Sequence, residues 1–150
     1  VYSKQEIDQV LDNFKIDLIQ LPVSILDQTL IHDGSLTKLK KYGVEIHARS
    51  VFLQGLMFME KDMIPSYFNP IIKNIDAFQN LAIELSFSRL ELALSYVASI
   101  CEIDKIVVGV NTINQLKEVI KAAKLRTDFQ KHKRISIRNP IYTNPSLWKI

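Results

Sequence analysis

The chain has 150 residues, of which 47% are hydrophobic and 23% are charged, and its formal net charge is +3. This composition is typical of a globular protein with one hydrophobic core, and it argues against intrinsic disorder. No apolar run approaches the roughly 18–20 residues that a membrane span needs, and we recognise no signal peptide. The single cysteine, Cys101, excludes an internal disulfide and suits a cytoplasmic location. It lies in the apolar run YVASIC and is interpreted as an inert core thiol.

The two ends of the sequence are unusual. The chain begins VYSKQE, without an initiator methionine, so we expect a processed protein or a piece of a longer one. Residues 121–150 contain eight Lys or Arg residues and one acid, Asp128, which predicts a basic C-terminal tail over 125–150. Basic tails bind nucleic acid, bind phosphate-bearing cofactors or stay solvated. Because no motif for reading nucleic acid accompanies the charge, we expect no nucleic-acid partner.

Three helix starts carry a capping box, in which a hydroxyl at the N-cap is followed three residues later by Glu or Gln. These boxes are Ser3–Glu6, Ser88–Glu91 and Thr112–Gln115. Apolar residues recur at helical spacing after the first and the third. A short helix is also predicted between Ser35 and Gly43, and another over 70–85 with a proline in its first turn.

Three short apolar runs are predicted to be strands: IDLIQLP (16–22), VEIHA (44–48) and DKIVVGV (104–110). Each is largely apolar on both faces, which is typical of strands buried in a parallel sheet. Strands that alternate with helices predict an α/β fold, either a barrel or a doubly wound sheet.

Two features favour the barrel. Polar residues or glycine lie at the exit of each strand, as expected if function lies at the C-terminal mouth: Gln20; Arg49, Ser50 and Gln54; Gly109 and Asn111. The glycine-rich dinucleotide fingerprint of the doubly wound alternative is absent. A closed barrel needs eight strands and about 250 residues. Three strands, with the end of a fourth expected at Val1-Tyr2, make half a barrel, and its two edges would be unpaired.

The sequence resembles the C-terminal half of an aldo/keto reductase, a family of NADPH-dependent (β/α)8 barrels. DLIQLPVSILD (17–27) is similar to the family's sixth strand and the segment that follows it. GVEIHARSVFLQGLM (43–57) is similar to the seventh strand and its loop, and IDKIVVGVNTINQLKEVIKA (103–122) to the eighth strand and helix. NPSLW (144–148) resembles closing motifs of some bacterial members. The resemblance implies a single partial domain over residues 1–150.

The resemblance implies a site for NADP(H). The loop at 49–56 matches the segment that contacts the cofactor's pyrophosphate, which needs hydrogen-bond donors and a close approach of the backbone. Arg49 stands where many members have an aromatic residue that stacks on the nicotinamide. Gln20 matches a glutamine that holds the carboxamide. The implied cofactor-binding residues are Gln20, Arg49, Ser50, Phe52, Gln54, Gly55, Gly109, Val110, Asn111, Gln115 and Glu118.

The residues from Gly109 to Glu118 match the segment at the adenosine end. The helix that starts near Thr112 is expected to direct its N-terminal amides at the 2′-phosphate. The family often has a basic residue or Thr/Ser and a Glu-Asn pair here, whereas Glu118 is followed by Val119. One adenine contact is therefore missing, which weakens the preference for NADPH over NADH, although NADP(H) remains the expected cofactor.

The family's catalytic Asp, Tyr, Lys and His lie in its first four strands, so no catalytic residue is carried over to this chain. None of the five tyrosines matches, and the histidines His32, His47 and His132 have no metal-ligand spacing. The resemblance implies one half of an enzyme that reduces aldehydes or ketones and needs its N-terminal half. The alternative is a non-catalytic half barrel, for nucleotide binding or structure, that pairs with itself or with another protein.

Overall fold

The computed structural model describes residues 1–126 and 135–149. The helices are α1 Lys4–Asn13, α2 Thr29–His32, α3 Ser35–Lys41, α4 Ile72–Glu84, α5 Arg89–Ala98, α6 Ile113–Ala122 and α7 Pro140–Thr143. The strands are β1 Leu18–Pro22, β2 Glu45–Arg49 and β3 Lys105–Ile106, and 3₁₀ turns span Leu53–Phe58, Lys61–Met63, Ser66–Ile71 and Pro145–Leu147. In the described part of the chain, no helix combines the length and the apolar character that crossing a membrane requires.

The three strands form one parallel sheet in the order β1-β2-β3. Ile19 pairs with Ile46, and Ala48 pairs with Ile106. α2 and α3 connect β1 to β2, and α4 and α5 connect β2 to β3. Parallel strands that alternate with helices confirm the predicted α/β fold.

The two faces of the sheet differ in burial. Ile19, Leu21 and Ile46 are at most 6% exposed and belong to the hydrophobic core. Leu18, on the opposite face of β1, is 45% exposed, and Gln20 on that face is also exposed. The prediction that the strands are buried on both faces is therefore wrong for this face. The reason is the alternation of side chains along a strand, because the helices of this chain bury only one of the two sides.

β3 is shorter than the predicted run 104–110, and its last ladder hydrogen bond runs from Val107 N to Ala48 O at 2.8 Å. The ladder ends here because β2 itself ends at Arg49, and the chain turns at Ser50, whose φ is +57°. The expected strand end at Val1-Tyr2 is not found, since these two residues have no strand assignment.

The predicted helix starts are found. Ser88 and Thr112 form complete capping boxes with Glu91 and Gln115. Ser3 Oγ accepts a hydrogen bond from Glu6 N at 3.2 Å, but the Glu6 carboxylate accepts from Tyr2 N rather than from Ser3 N. The predicted helix at 70–85 begins two residues later, because Pro70 belongs to the 3₁₀ turn Ser66–Ile71 that precedes α4.

Asp104 joins three elements at the amino ends of the strands. Its carboxylate accepts hydrogen bonds from the backbone N–H of Ile46 and from Lys40 Nζ, both at 2.7 Å. These two donors lower the pKa of Asp104 below its usual value. Since Lys40 lies on α3, the carboxylate fastens α3 and β2 to the start of β3.

The C-terminal segment 135–149 packs against the rest of the chain. Ile135 and Ile137 are 6% and 4% exposed, and Ile137 N donates to Leu26 O at 2.8 Å. Trp148 meets Phe68 edge to face, with ring centroids 4.8 Å apart. Part of the predicted basic tail is therefore attached to the core, while residues 127–134 and 150 of that tail lie outside the described residues.

Cys101 is exposed, so its interpretation as a core thiol is wrong. The apolar helix that contains YVA (96–98) ends at Ala98, which leaves Cys101 in the turn that follows it. Cys101 Sγ lies 3.1 Å from Glu102 Oε2, and this carboxylate raises the pKa of the thiol. A raised pKa keeps the thiol protonated and weakly nucleophilic.

Candidate functional site

A cleft of about 670 Å³ opens at the carboxyl ends of β2 and β3. Two segments form most of its wall: the loop after β2, and the run after β3 that leads into α6. Nine of the eleven predicted site residues line it: Ser50, Phe52, Gln54, Gly55, Gly109, Val110, Asn111, Gln115 and Glu118. Because the strands are parallel, both segments leave the sheet at the same edge, which brings together residues that are far apart in sequence.

The loop after β2 is held in an uncommon backbone conformation. Ser50, Leu53 and Gln54 have φ values of +57°, +46° and +55°, and Gly55 follows at +83°. Left-handed conformations cost non-glycine residues about 1–3 kcal/mol each and cluster at functional sites. The loop therefore contains strain that the surrounding structure must offset.

Buried anchors fix this loop. Leu53, Leu56 and Met57 are at most 1% exposed, so the middle of the loop is packed into the core. At its far end, Arg89 Nη1 donates to Phe58 O at 2.9 Å and lies 3.0 Å from Glu60 Oε1. The first turn of α5 thus fixes the end of the loop, which leaves its polar part free to form the cleft wall.

Gly55 and Gly109 provide a matched test of the strain, because a Cβ added to either would meet no atom within 4 Å. Only Gly55 has a positive φ. We expect Gly55→Ala to lower the free energy of unfolding by about 1–2 kcal/mol, through backbone strain alone. Gly109→Ala should leave it unchanged or raise it by up to about 1 kcal/mol. Urea unfolding of the two variants measures the difference, and equal losses would contradict the assignment of strain to the loop.

The wall formed by α6 is organised by its capping box. Gln115 Oε1 accepts from Asn111 N at 2.7 Å and from Thr112 N at 3.3 Å. Gln115 N in turn donates to Thr112 Oγ1 at 3.2 Å. Three backbone amides at the start of this helix therefore already have partners within the helix start itself.

Among the described residues that line the cleft, Glu118 is the one charged side chain. The remaining polar groups are the hydroxyl of Ser50 and the amides of Asn111, Gln54 and Gln115, together with the backbone. Such a lining can exchange hydrogen bonds with hydroxyl and amide groups, and it can donate hydrogen bonds to phosphate oxygens. It is well suited to a polar small molecule with an apolar ring, since valine, phenylalanine and leucine side chains form the apolar part of the lining.

Gln20 and Arg49 do not line the cleft. Arg49 lies at its border, where Nη1 donates to Ser50 Oγ at 3.2 Å and the guanidinium lies 4.5 Å from the ring centroid of Tyr2. Gln20 pairs with His47 in the sheet, and Arg49 follows His47 by two residues. Side chains two residues apart share a face of a strand, so Gln20 and Arg49 are on the same side of the sheet.

The same face carries an ionic cluster below Arg49. Glu45 Oε1 lies 2.8 Å from Lys105 Nζ and 2.7 Å from His47 Nε2. Lys105 and then His47 lower the pKa of Glu45. In the part of the chain that the structure describes, no three His, Cys, Asp or Glu side chains are grouped to hold a metal ion.

Six lining residues are missing from the predicted set: Val51, Phe58, Leu90, Val107, Val108 and Val119. All are apolar, and an apolar wall residue has the same sequence signature as a core residue. Leu90 belongs to α5, which no motif connected with the site. Three of them, Val107, Val108 and Val119, lie inside the segment 103–122, and their place in that motif could have predicted that they line the site.

No described tyrosine lines the cleft. Tyr96 is fully buried, and burial strongly raises the pKa of its hydroxyl. The hydroxyl of Tyr67 donates a hydrogen bond to Ile141 O at 3.0 Å, so this side chain holds the C-terminal segment. The cleft therefore offers binding groups rather than a phenol that could donate a proton.

Comparison with known proteins agrees with this fold. The aldo-keto reductase AKR11C1 from Bacillus halodurans, in its holo form, is similar with a TM-score of 0.69 and 19% identity, covering 89% of this chain and 46% of that chain. The glycerol dehydrogenase AKR11B4 from Gluconobacter oxydans is similar with a TM-score of 0.66 and 17% identity, covering 89% of this chain and 45% of that chain. This chain thus spans about half the length of these structures.

A search of curated proteins found no match. The profile of the Aldo/keto reductase family, in contrast, matches residues 2–139, which is most of the chain. The match includes both walls of the cleft and all three strands of the sheet. This chain therefore belongs to the aldo/keto reductase family.

Proposed function

We propose that this chain is the C-terminal, cofactor-binding half of an aldo/keto reductase that reduces aldehydes or ketones with a nicotinamide dinucleotide. The observation that carries the proposal is the convergence of nine of the eleven predicted residues on one cleft at the carboxyl ends of parallel strands. In barrel enzymes this end of the sheet is where the chemistry takes place. The single cysteine supports a reducing, cytoplasmic location for the protein.

The cleft fits part of a dinucleotide. Its volume of about 670 Å³ is within the range of roughly 300–1,000 Å³ found for small-molecule and cofactor sites. Valine and phenylalanine side chains offer apolar surface for a base, and the backbone between Ser50 and Gly55 offers polar groups. Left-handed residues are typical of turns whose backbone amides bind anions; in this loop the amides of Leu53 and Gly55 already donate to Ser50 O and Phe52 O, so the donors for a phosphate would be the loop's other amides.

A bound nicotinamide dinucleotide would supply the hydride, and the residues of this chain would position it. We assign Ser50 and the backbone of the loop 50–55 to the pyrophosphate. We assign Gln20 to the carboxamide of the nicotinamide, since it shares a face of the sheet with Arg49 at the border of the cleft. Arg49, already held by Tyr2 and Ser50, would place a planar guanidinium at the mouth, where it can stack or pair with an anion.

A complementary half is needed to complete the fold. β1 and β3 each have one edge that is unpaired among the described residues. On α6, Ile113, Leu116 and Ile120 are 71%, 44% and 53% exposed, although they form the apolar side of an amphipathic helix. We infer that an N-terminal half barrel covers these surfaces and contributes the Asp, Tyr, Lys and His of the family. The tyrosine would protonate the carbonyl oxygen as the hydride arrives.

The test is the intact mass of the natural polypeptide, combined with an assay of carbonyl-dependent oxidation of NADH and NADPH. We expect a mass near twice that of 150 residues, and turnover with aldehydes or ketones. Both results follow if the cleft belongs to a closed barrel with a catalytic half. A polypeptide of twice the mass that binds neither nucleotide would contradict the proposal.

The alternative is a stand-alone half barrel that pairs with a second copy of itself and binds a nucleotide or has a structural role. The same exposed edges and the apolar side of α6 favour it, because they need a cover of some kind. Its expected signature is a natural polypeptide of about 150 residues that is dimeric by gel filtration and has no carbonyl reductase activity. A monomer of that length would exclude it.

A further inference from the structure

We propose that the cleft selects the dinucleotide without a 2′-phosphate, so that NAD(H) rather than NADP(H) is the cofactor of this protein. The inference rests on the proposed function, and it concerns the part of the cleft that runs from Gly109 to Glu118. Three observations carry it: the charge of the lining, the state of the amides at the start of α6, and the chemistry of Glu118.

The charge of the lining opposes a phosphate at this end. Glu118 is the one charged group among the described lining residues, and it is negative. A 2′-phosphate would bring nearly two further negative charges next to it, and doubly wound dinucleotide folds that accept this group place an arginine nearby. Gly109, Val110 and Gln115 offer no positive charge in the same segment.

Nearby lysines do not compensate. Lys121, one turn of helix beyond Lys117, lies 3.6 Å from Glu91 Oε1 and so faces α5. Lys117 is exposed and adjacent to Glu118 in sequence, but it does not line the cleft. The described part of the chain therefore holds no cation at the wall where a 2′-phosphate would need one.

The helix start cannot fully replace a cation. Helix N-termini bind phosphate through backbone amides that have no partner within the helix. At the start of α6, the amides of Asn111 and Thr112 both donate to Gln115 Oε1, and that of Gln115 donates to Thr112 Oγ1. Two of the four amides at this helix start, those of Thr112 and Gln115, are therefore already occupied by the capping box, which leaves a phosphate fewer donors.

Glu118 is instead suited to a ribose with free hydroxyls. A carboxylate accepts hydrogen bonds from ribose hydroxyls, and this is how dinucleotide folds of another type select NAD. Among the described residues Glu118 has no ion pair, so its oxygens are available. With no basic residue beside it in the described lining, the carboxylate that repels a 2′-phosphate can thus accept from a 2′-hydroxyl.

The experiment measures the dissociation constants of NADH and NADPH for the natural polypeptide by isothermal titration calorimetry. We expect NADH to bind more tightly by about tenfold, as one uncompensated charge at close range predicts. Equal or tighter binding of NADPH would overturn the inference and leave the proposed function intact. Binding of neither nucleotide would instead remove the proposed function.

A charge-reversal pair tests the role of Glu118. Glu118→Lys is expected to shift the ratio of the two dissociation constants toward NADPH by about tenfold or more. Glu84→Lys makes the same change in net charge at an exposed position of α4 outside the cleft, and it should leave the ratio unchanged. Equal shifts in both variants, or no shift with Glu118→Lys, would overturn the assignment of selectivity to Glu118.

Discussion

The 150-residue chain produced on its own is expected to show no carbonyl-dependent oxidation of NADH or NADPH. The cleft provides groups that bind and orient a dinucleotide, but no described tyrosine lines it to protonate the carbonyl oxygen. General acid catalysis alone contributes about 10²–10⁴-fold to a rate. The absence of that group, together with the open face of the sheet, should reduce turnover below detection. Steady-state loss of the reduced cofactor's absorbance, with and without an aldehyde, measures this.

The natural polypeptide, assayed at the same molar concentration, is the positive control. A second control is the titration of the chain with each nucleotide, which separates loss of chemistry from loss of binding. Carbonyl-dependent oxidation by the chain alone would contradict the prediction. It would mean that the acid comes from within these 150 residues, and the proposed division of the site between two halves would then be wrong.

The elements of this fold were predictable where local chemistry determines them. The capping boxes at Ser88 and Thr112 identify two helix starts, because a hydroxyl and a carboxylate or amide at this spacing satisfy the amides at a helix start. Polar residues at the ends of apolar strands located the cleft for a similar reason, since a buried strand ends in polar groups only where they meet solvent or a ligand. Ser50 and Asn111 are examples on its two walls.

The burial of the sheet was predicted less well, and the errors have one cause. Leu18 and Val107 are 45% and 42% exposed, although their strands read as apolar on both faces. The apolar pattern of a strand reflects all the surfaces that it buries in the complete protein. A chain that contains one side of a closed barrel would leave half of that pattern exposed, as the proposed function requires.

The pair of Tyr2 and Arg49 was beyond prediction from the sequence. The two residues lie far apart in the chain, and their contact depends on how the start of α1 approaches the end of β2. Leu90 was missed for a different reason, because nothing distinguishes an apolar residue in a cleft wall from one in the core. Residue type predicts chemistry at a site, whereas the shape of the site depends on packing over the whole fold.

Replacement of Phe68 by alanine is expected to have the largest effect on stability. Phe68 is 1% exposed and contacts Tyr67 and Trp148 edge to face, at centroid distances of 5.0 and 4.8 Å. Removing a fully buried phenylalanine costs about 3–5 kcal/mol, because the cavity that remains collapses only partly. Urea unfolding gives the loss in free energy, and the single tryptophan makes fluorescence a direct report on the C-terminal segment.

Phe14→Ala is the matched control, since the same ring is removed from a position that is 68% exposed. Its effect on the free energy of unfolding should stay within about 0.5 kcal/mol, as for most surface substitutions.

The two variants also differ in what Trp148 reports. Phe68→Ala removes a ring that packs against the indole, so the emission of Trp148 in the folded protein should shift to longer wavelength. Phe14→Ala should leave the emission spectrum of the folded protein unchanged. Equal losses of stability, or an unshifted emission in Phe68→Ala, would contradict the role of Phe68 and leave the C-terminal segment to its other contacts, such as the hydrogen bond from Ile137 N to Leu26 O.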